Sequence, residues 1–113
     1  MAERTVRALP QQGVTALAFI QIMDFHTDRM EEGKQYVDEY RAKTEGRRTS
    51  QRTVLCQDRD QPGHYVNLVV FDSYESAMEN SNLPETQELA QKIAELTTSE
   101  IKFLNLEVEW DET

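Results

Sequence analysis

The sequence predicts one α+β domain with the element order β-α-β-β-α-β. Three observations carry this prediction: an apolar, β-rich run at residues 15–25, a proline–glycine turn between two later strand-like runs, and a strand-to-helix junction followed by a helix that opens on proline. A chain of 113 residues normally forms one domain around one core. We expect residues 1–13 to form an N-terminal arm and residues 14–113 to form the domain.

Composition narrows the class of protein. Hydrophobic residues make up 38% and charged residues 29% of the chain, as in globular domains. No apolar run approaches the roughly 20 residues of a membrane helix, and the N-terminal MAERTVRALPQQG lacks the apolar core of a secretory signal. A single cysteine, Cys56, excludes an internal disulfide framework and fits a reducing cytosol. We therefore expect a cytoplasmic protein that is not inserted in a membrane.

Charge argues against a nucleic-acid partner, because the net charge is −9, from 21 acidic and 12 basic residues. Positive charge is concentrated only locally, in Arg47, Arg48, Arg52 and Arg59. Two interpretations remain open. The arginines pair with acidic neighbours such as Glu107, Glu109 and Asp111, or they form a mouth that attracts an anionic ligand.

The first strand is predicted at Thr15–Phe25, an almost continuous apolar run that indicates burial on both faces. Thr27 or Asp28 can cap the following helix, which is predicted to run to about Thr44. Gly33 lies on its apolar stripe and would allow a close approach to the sheet. The other members of the stripe are Met30, Tyr36, Val37 and Tyr40.

The second and third strands are predicted to form a hairpin, at Arg52–Asp58 and His64–Phe71. Asp60-Gln61-Pro62-Gly63 connects them. Proline presets φ and glycine accepts a positive φ, so Pro62 and Gly63 suit the central positions of a type II turn.

The second helical region has two predicted parts. Asp72 or Ser73 caps a short helix at Tyr74–Asn80, residues 80–82 interrupt it, and Pro84 opens the second part. The buried stripe of that second part contains Leu89, Ala90, Ile93, Ala94 and Leu96. A last strand is predicted at Ile101–Trp110, where apolar and polar residues alternate.

This order is the split βαβ arrangement of ferredoxin-like folds, with a four-stranded antiparallel sheet and helices on one face. Strand parity gives two sets of side chains. We assign the aliphatic set to the helix-covered face: Ile20, Ile22, Val66, Leu68, Val70, Leu104, Leu106 and Val108. The opposite set is Leu17, Phe19, Gln21, Met23, Tyr65, Asn67, Val69, Phe71, Phe103 and Asn105. That set is too apolar to face water. We therefore predict that a second copy of the sheet covers it, giving a homodimer that forms an α/β barrel.

Three amides belong to the face that this assignment gives to the dimer, Gln21, Asn67 and Asn105. A buried amide without a partner costs about 1–3 kcal/mol, so each should find one. We favour amide–amide bonds across the two-fold axis. The alternative is that the amides are polar anchors in a ligand cavity.

The junction VVFDSYESAMENSNLPETQELAQKI resembles the signature of the antibiotic-biosynthesis-monooxygenase-like group of dimeric α/β-barrel proteins. The matching features are an aromatic strand end, a serine, an acidic-small pair and a proline that opens the last helix, here Phe71, Ser73, Glu75-Ser76-Ala77 and Pro84. The element order extends the resemblance over about residues 14–110. The superfamily includes cofactor-free monooxygenases, haem-degrading enzymes, isomerases and proteins without a known reaction.

Within that resemblance, two branches can be compared with this chain. Haem-degrading members carry a tryptophan and a histidine at the positions of Asn80 and Ala90, so haem degradation is disfavoured. Quinone-forming members use asparagine, tryptophan, tyrosine and arginine around a polyphenol. The single tryptophan here, Trp110, lies in the last predicted strand, and those roles do not transfer residue by residue.

The candidate catalytic residues are His26, His64, Tyr36, Tyr40 and Asn67. Either histidine can act as an acid or base near neutral pH, or can be an ordinary hydrogen-bonded residue at an element edge. The two tyrosines share a helix face, where they belong to the core or hydrogen-bond an aromatic substrate. Two histidines without clustered carboxylates or cysteines predict no metal site, and no motif predicts a cofactor. Cys56 is expected to be a small buried hydrophobe.

Two functions are consistent with this sequence. One is a cofactor-independent monooxygenase, or related enzyme, that acts on a small aromatic or polyketide-like molecule. The other is a non-catalytic module that binds a small ligand or only dimerises. A cavity of roughly 300 Å³ or more between sheet and helices would favour the enzyme.

Overall fold

The computed structural model describes residues 19–112, and the arm and Thr15–Ala18 of the predicted first strand lie outside that range. The elements in chain order are β1 (Phe19–His26), α1 (Met30–Lys43), β2 (Arg52–Gln57), β3 (His64–Phe71), α2 (Tyr74–Ser81), α3 (Pro84–Leu96) and β4 (Lys102–Glu107). The strands form one antiparallel sheet in the order β2-β3-β1-β4. This is the predicted ferredoxin-like protomer. β4 is shorter than predicted, since it ends at Glu107 and not at Trp110.

The β2–β3 turn has the predicted geometry. The His64 amide donates to the Gln61 carbonyl at 3.2 Å, which places Pro62 and Gly63 at the central positions. Gly63 has φ +85°, as the second central residue of a type II turn requires. The turn also contacts the end of β1, where the Thr27 amide donates to the Gly63 carbonyl at 2.9 Å.

The helix starts differ in how they are capped. Ser73 caps α2 by accepting a hydrogen bond from the Ser76 amide at 3.1 Å, as predicted. For α1 the prediction is wrong, because Arg29 is the N-cap and makes no side-chain cap hydrogen bond. The Thr27 hydroxyl instead accepts from the Arg29 amide and donates to the Leu96 carbonyl at 2.6 Å, so it connects the β1–α1 loop to the end of α3.

The assignment of the two sheet faces is also wrong and must be reversed. Phe19 and Phe71, which pair across β1 and β3, are buried together with Ala77 of α2. Tyr74 of the same helix contacts Phe19 edge-on, with ring centroids 5.5 Å apart. Since alternate residues share a face, the helix-covered set is the one that contains Phe19, Val69 and Phe71. Both sets are apolar, so composition alone could not separate them. The aromatic rings fill the space between sheet and helix.

The face that the described helices leave uncovered is therefore the aliphatic one. Its apolar members are Ile20, Ile22, Val54, Val66, Leu68, Val70, Leu104 and Leu106, of which Val70 is buried. On the edge strand β4, Leu104 is 51% exposed and Leu106 is 39% exposed.

Gly33 and the arginines also occupy other places than predicted. Gly33 is buried against Ile93 and Leu96 of α3, so it lies in the contact between α1 and α3 and not against the sheet. Arg47 pairs with Glu85 at 2.7 Å. It does not pair with the C-terminal acids, because β2 and β4 are opposite edges of the sheet.

Candidate functional site

A cleft of about 560 Å³ opens at one end of the sheet, between the first turn of α1 and the β2–β3 turn. Its apolar surface comes from Met30, Pro62, Gly63 and Tyr65. Tyr65 stacks on the buried ring of Phe25, with centroids 5.9 Å apart and an interplanar angle of 20°. The cleft thus has an aromatic wall held by a second ring, on the helix-covered side of β3.

The charged rim of the cleft is acidic. Arg29 and Glu32 form a two-point ion pair at 2.8 and 2.9 Å, and this hydrogen bonding lowers the pKa of Glu32. Glu31 lies 3.8 Å from Lys34 at an exposed site, and Asp28 is exposed at the mouth. The arginines that could have formed an anion-attracting mouth, Arg47, Arg48, Arg52 and Arg59, are not among the described lining residues. This rim therefore disfavours an anionic ligand.

Asn67 lies on the same side of β3 as Tyr65, because the two are separated by one residue. It is half-buried, opposite Leu55 on β2 and Met23 on β1. Gln21 and Asn105 share this face, and the Gln21 amide donates to Asn105 Oδ1 at 3.2 Å within one protomer. The three amides are thus on the helix side and not on the uncovered face, which contradicts the predicted bonds across a dimer axis. None of the three is among the residues that line the cleft, so the alternative, polar anchors in a ligand cavity, stays a prediction.

The two histidines meet on the uncovered face, with stacked rings 4.5 Å apart. His64 Nδ1 lies 2.8 Å from Asp58 Oδ2, and His64 Nε2 lies 2.8 Å from Asp24 Oδ1. Hydrogen bonding to both carboxylates raises the pKa of His64, with Asp58 having the larger effect and Asp24 the next. The hydrogen bond between His64 and Asp58 also lowers the pKa of Asp58. His26 lies 3.4 Å from the Ser99 hydroxyl. With both ring nitrogens engaged, His64 has no nitrogen left to exchange a proton with a substrate.

Tyr36 and Tyr40 lie in a groove between α1 and α3, away from the cleft. The Tyr40 hydroxyl contacts the Thr86 hydroxyl at 2.9 Å and accepts from Asn80 Nδ2 at 3.4 Å. The ammonium group of Lys92 lies 5.0 Å from the centre of the Tyr36 ring. The groove has a volume of about 10 Å³, which is room for a single water. The predicted catalytic residues therefore lie in three separate places: the two histidines on the uncovered face, the two tyrosines in this groove, and Asn67 on the helix side of β3.

Comparison with solved structures identifies the fold of this chain. No family model and no curated protein matches the sequence. Among solved structures, the chain is similar to SnoaB, a cofactor-independent oxygenase from Streptomyces nogalater that was solved as an asparagine-to-alanine mutant. The sequence identity is 15% and the TM-score is 0.72, over 85% of this chain and 97% of that one. It is also similar to a proposed antibiotic biosynthesis monooxygenase from Nitrosomonas europaea, at 12% identity and TM-score 0.70 over 83% and 92% of the two chains. The chain has an antibiotic-biosynthesis-monooxygenase-like fold.

Within this monooxygenase-like fold, the junction residue Asn80 has a structural role. It is 8% exposed, accepts a hydrogen bond from the Thr49 amide at 3.1 Å and donates to Tyr40. The position at which the resemblance would place a tryptophan is thus occupied by a buried amide that connects α2 to the chain before β2.

Three further predictions concern the cysteine, metal binding and membrane insertion. Cys56 is exposed on the edge strand β2, so the prediction of a buried cysteine is wrong. Within residues 19–112, no group of three or more histidine, cysteine, aspartate or glutamate side chains could hold a metal ion. Across the same residues, no helix has the length and apolar character needed to span a bilayer.

Sequence reasoning missed the residues that build the cleft and the histidine cluster. Met30 and Tyr65 were assigned to the core or to a dimer face, and Asp24 and Asp58 were given no role. A weak signal existed, because Asp58 and His64 flank a proline–glycine turn at positions that face each other in a hairpin. The role of Asp24 depends on the β1–β3 register, which no local pattern records.

Proposed function

We propose that this protein binds a small, uncharged, electron-rich aromatic molecule in the cleft beside Tyr65 and oxidises it with dioxygen without a cofactor. The observation that carries the proposal is the cleft itself. Its volume of about 560 Å³ lies within the range of ligand sites, and its wall includes Tyr65, whose ring stacks on the buried ring of Phe25 on the helix-covered side of the sheet. The likeness to SnoaB, which is described as a cofactor-independent oxygenase, supports this choice of reaction.

The chemistry requires a substrate whose own carbanion reduces dioxygen. In an anthrone, loss of a proton from the ring CH₂ group gives an enolate, which transfers electrons to O₂ and forms a carbon-bound peroxide. Loss of water from the peroxide leaves the quinone carbonyl, so that one anthrone and one O₂ give one anthraquinone and one water. The protein must hold the enolate oxygen and exclude water. Asn67 lies on the same side of β3 as Tyr65 but is not among the residues that line the cleft, and we propose it as the amide donor for a substrate that extends from the cleft along this side of the sheet.

The test is oxygen uptake with 1,8-dihydroxyanthrone as the probe. We expect Asn67→Ala to lower kcat/KM by about 10²-fold, the effect of losing one oxyanion donor. Asn105→Ala is the matched control, because this amide lies on the same side of the sheet but is bonded to Gln21. It should leave kcat/KM within about twofold, since no reacting oxygen depends on it. Oxygen uptake no faster than in buffer with the wild-type protein would contradict the proposal.

A non-catalytic binding module is the second candidate. The observation that favours it is the engagement of both nitrogens of His64 by carboxylates, which leaves this histidine unable to serve as a base. Shifts of the Met30 methyl and Tyr65 ring NMR signals on addition of 2-naphthol, without oxygen uptake from the anthrone, would support binding alone.

We further propose that the protein is a homodimer joined through the uncovered, aliphatic sheet face. Leu104 and Leu106 on this face are exposed in the protomer, and burying such apolar area is favourable by about 25 cal/mol per Å². The exposed free thiol of Cys56 is consistent with a reducing compartment, so the proposal places the dimer in the cytoplasm.

A further inference from the structure

The His64 cluster joins three strands at the end of the sheet that carries the cleft. His64 begins β3, Asp24 lies on β1, and Asp58 directly follows β2. The His64 side chain is 17% exposed, and the two carboxylates are 35% and 31% exposed. Among the described residues, the ring of His26 stacks on His64, and Lys102 is opposite Asp24 in the β1–β4 register, so both face this cluster.

The two contacts of His64 define the protonation state that fits them. A neutral imidazole has one N–H donor, and only the imidazolium donates from both nitrogens. Here both nitrogens lie 2.8 Å from carboxylate oxygens. Deprotonation would therefore leave one nitrogen lone pair facing an anionic oxygen, and that contact would be lost.

His64 is adjacent in sequence to residues that line the cleft. Pro62 and Gly63, which line the cleft, immediately precede His64, and Tyr65 immediately follows it. The Gly63 carbonyl also accepts the Thr27 amide at the mouth of the cleft. A change in how His64 holds β3 against β1 is transmitted to these residues by the backbone.

We infer that His64 is a proton-dependent clamp, which in its imidazolium form holds the β2–β3 turn against the end of β1 and so fixes the cleft wall. His64 is a positioning residue, since it touches the two carboxylates and not the cleft. The clamp itself is independent of any ligand, whereas its effect on ligand affinity rests on the proposed function.

The sign of the pH dependence follows from the direction of the shift. The pKa of His64 is raised in the folded protein, first by Asp58 and then by Asp24. The stabilisation is thus fully present below the unfolded imidazole value of about 6.5. It is lost as the pH rises through the higher folded value. The clamp therefore loosens on the alkaline side.

The primary experiment is an NMR titration of the histidine ring signals from about pH 5 to about pH 9, a range that brackets the ordinary imidazole pKa. His64→Gln assigns the signals. We expect Asp24→Asn and Asp58→Asn each to lower the titration midpoint of His64. His26→Gln is the control, because it removes the stacked ring and leaves both carboxylates in place.

A second measurement follows the turn itself. The protection factor of the Thr27 amide should fall about two- to fivefold across the His64 titration, the range for a partly exposed ion pair. The Ala77 amide, bonded to the Ser73 carbonyl in α2, is the internal reference. If His64→Gln does not fold, the pH dependence of Thr27 protection is compared between the wild type and the variants Asp24→Asn and Asp58→Asn.

Two results would overturn the clamp: a His64 midpoint that neither asparagine variant changes, or Thr27 protection with the same pH course in the wild type and in the variants. The affinity for 2-naphthol should weaken as the pH rises through the same titration. Absence of 2-naphthol binding at every pH would contradict the proposed function, while the titration and the Thr27 protection would still decide the clamp.

Discussion

At the residue scale, Tyr36 and Tyr40 show how two similar side chains on one helix acquire different roles. The Tyr40 hydroxyl joins Thr86 of α3 and Asn80 of α2, so it connects three helices. Tyr36 contacts Lys92 through its ring, in a half-exposed position. A hydroxyl with two partners contributes to stability, whereas an exposed cation–π contact adds little.

We expect Tyr40→Phe to lower the free energy of unfolding by about 1 kcal/mol, because two hydrogen-bond partners lose their contact. Tyr36→Phe is the matched control, since it keeps the ring that faces Lys92 and should change stability by less than about 0.5 kcal/mol. Urea unfolding followed by circular dichroism measures both. Equal losses for the two variants would show that the hydroxyl network of Tyr40 has no special role.

At the element scale, three glycines among the described residues differ in what a side chain would encounter at their positions. Gly33 has helical backbone geometry, and a Cβ there would meet Met30, Ile93 and Leu96 at 3.4–3.7 Å, which is ordinary contact. Gly46 has φ +82° with nothing within 4 Å of a Cβ. Gly63 has φ +85°, and a Cβ would lie 3.2 Å from the Thr27 carbonyl oxygen. Only at Gly63 do conformation and close approach act together.

We expect Gly33→Ala to raise the free energy of unfolding by about 0.5–1 kcal/mol, because alanine is the better helix former and the added methyl group fits. Thermal unfolding should show a higher Tm. A lower Tm would mean that α1 and α3 cannot accommodate the methyl group.

We expect Gly63→Ala to destabilise the protein more than Gly46→Ala. The left-handed conformation costs a non-glycine residue about 1–2 kcal/mol at either position. At Gly63 the new Cβ also presses on backbone that cannot move as a side chain would. Comparison of the two urea midpoints tests this, and equal midpoints would contradict the close approach of the turn to β1.

At the scale of the whole molecule, the sheet has one face under helices and one face that the described helices leave uncovered. Leu55 and Leu104 allow a comparison between the faces. Both lie on edge strands and both are exposed, by 42% and 51%. Leu55 is opposite Asn67 on the helix side, and Leu104 is opposite Ile22 on the uncovered side.

If a second copy covers the uncovered face, we expect Leu104→Asp to give a monomer at micromolar concentration, because it places a charge in an apolar contact. Leu55→Asp should remain dimeric, since it changes the other side of the sheet. Light scattering after gel filtration gives the masses. A wild-type protein of protomer mass, or dissociation by both variants alike, would contradict the dimer proposal.

Local sequence signals determined the element order and several of its details. Pro62 and Gly63 predicted the turn, Ser73 predicted the cap of α2, and Pro84 predicted the start of α3, because each depends on the backbone preferences of a few neighbouring residues. The spacing of apolar residues predicted the ferredoxin-like arrangement for the same reason.

Only the tertiary structure decided which sheet face lies under the helices, and it placed Asn67 on the helix-covered face and not on the face predicted for the dimer. Strand alternation defines two sets of residues, but both sets are apolar here, so the choice depends on how Phe19 and Phe71 pack against Ala77. The partners of His64 likewise depend on the β1–β3 register. Contacts between residues distant in the chain are fixed by packing of the whole domain, and no local pattern contains them.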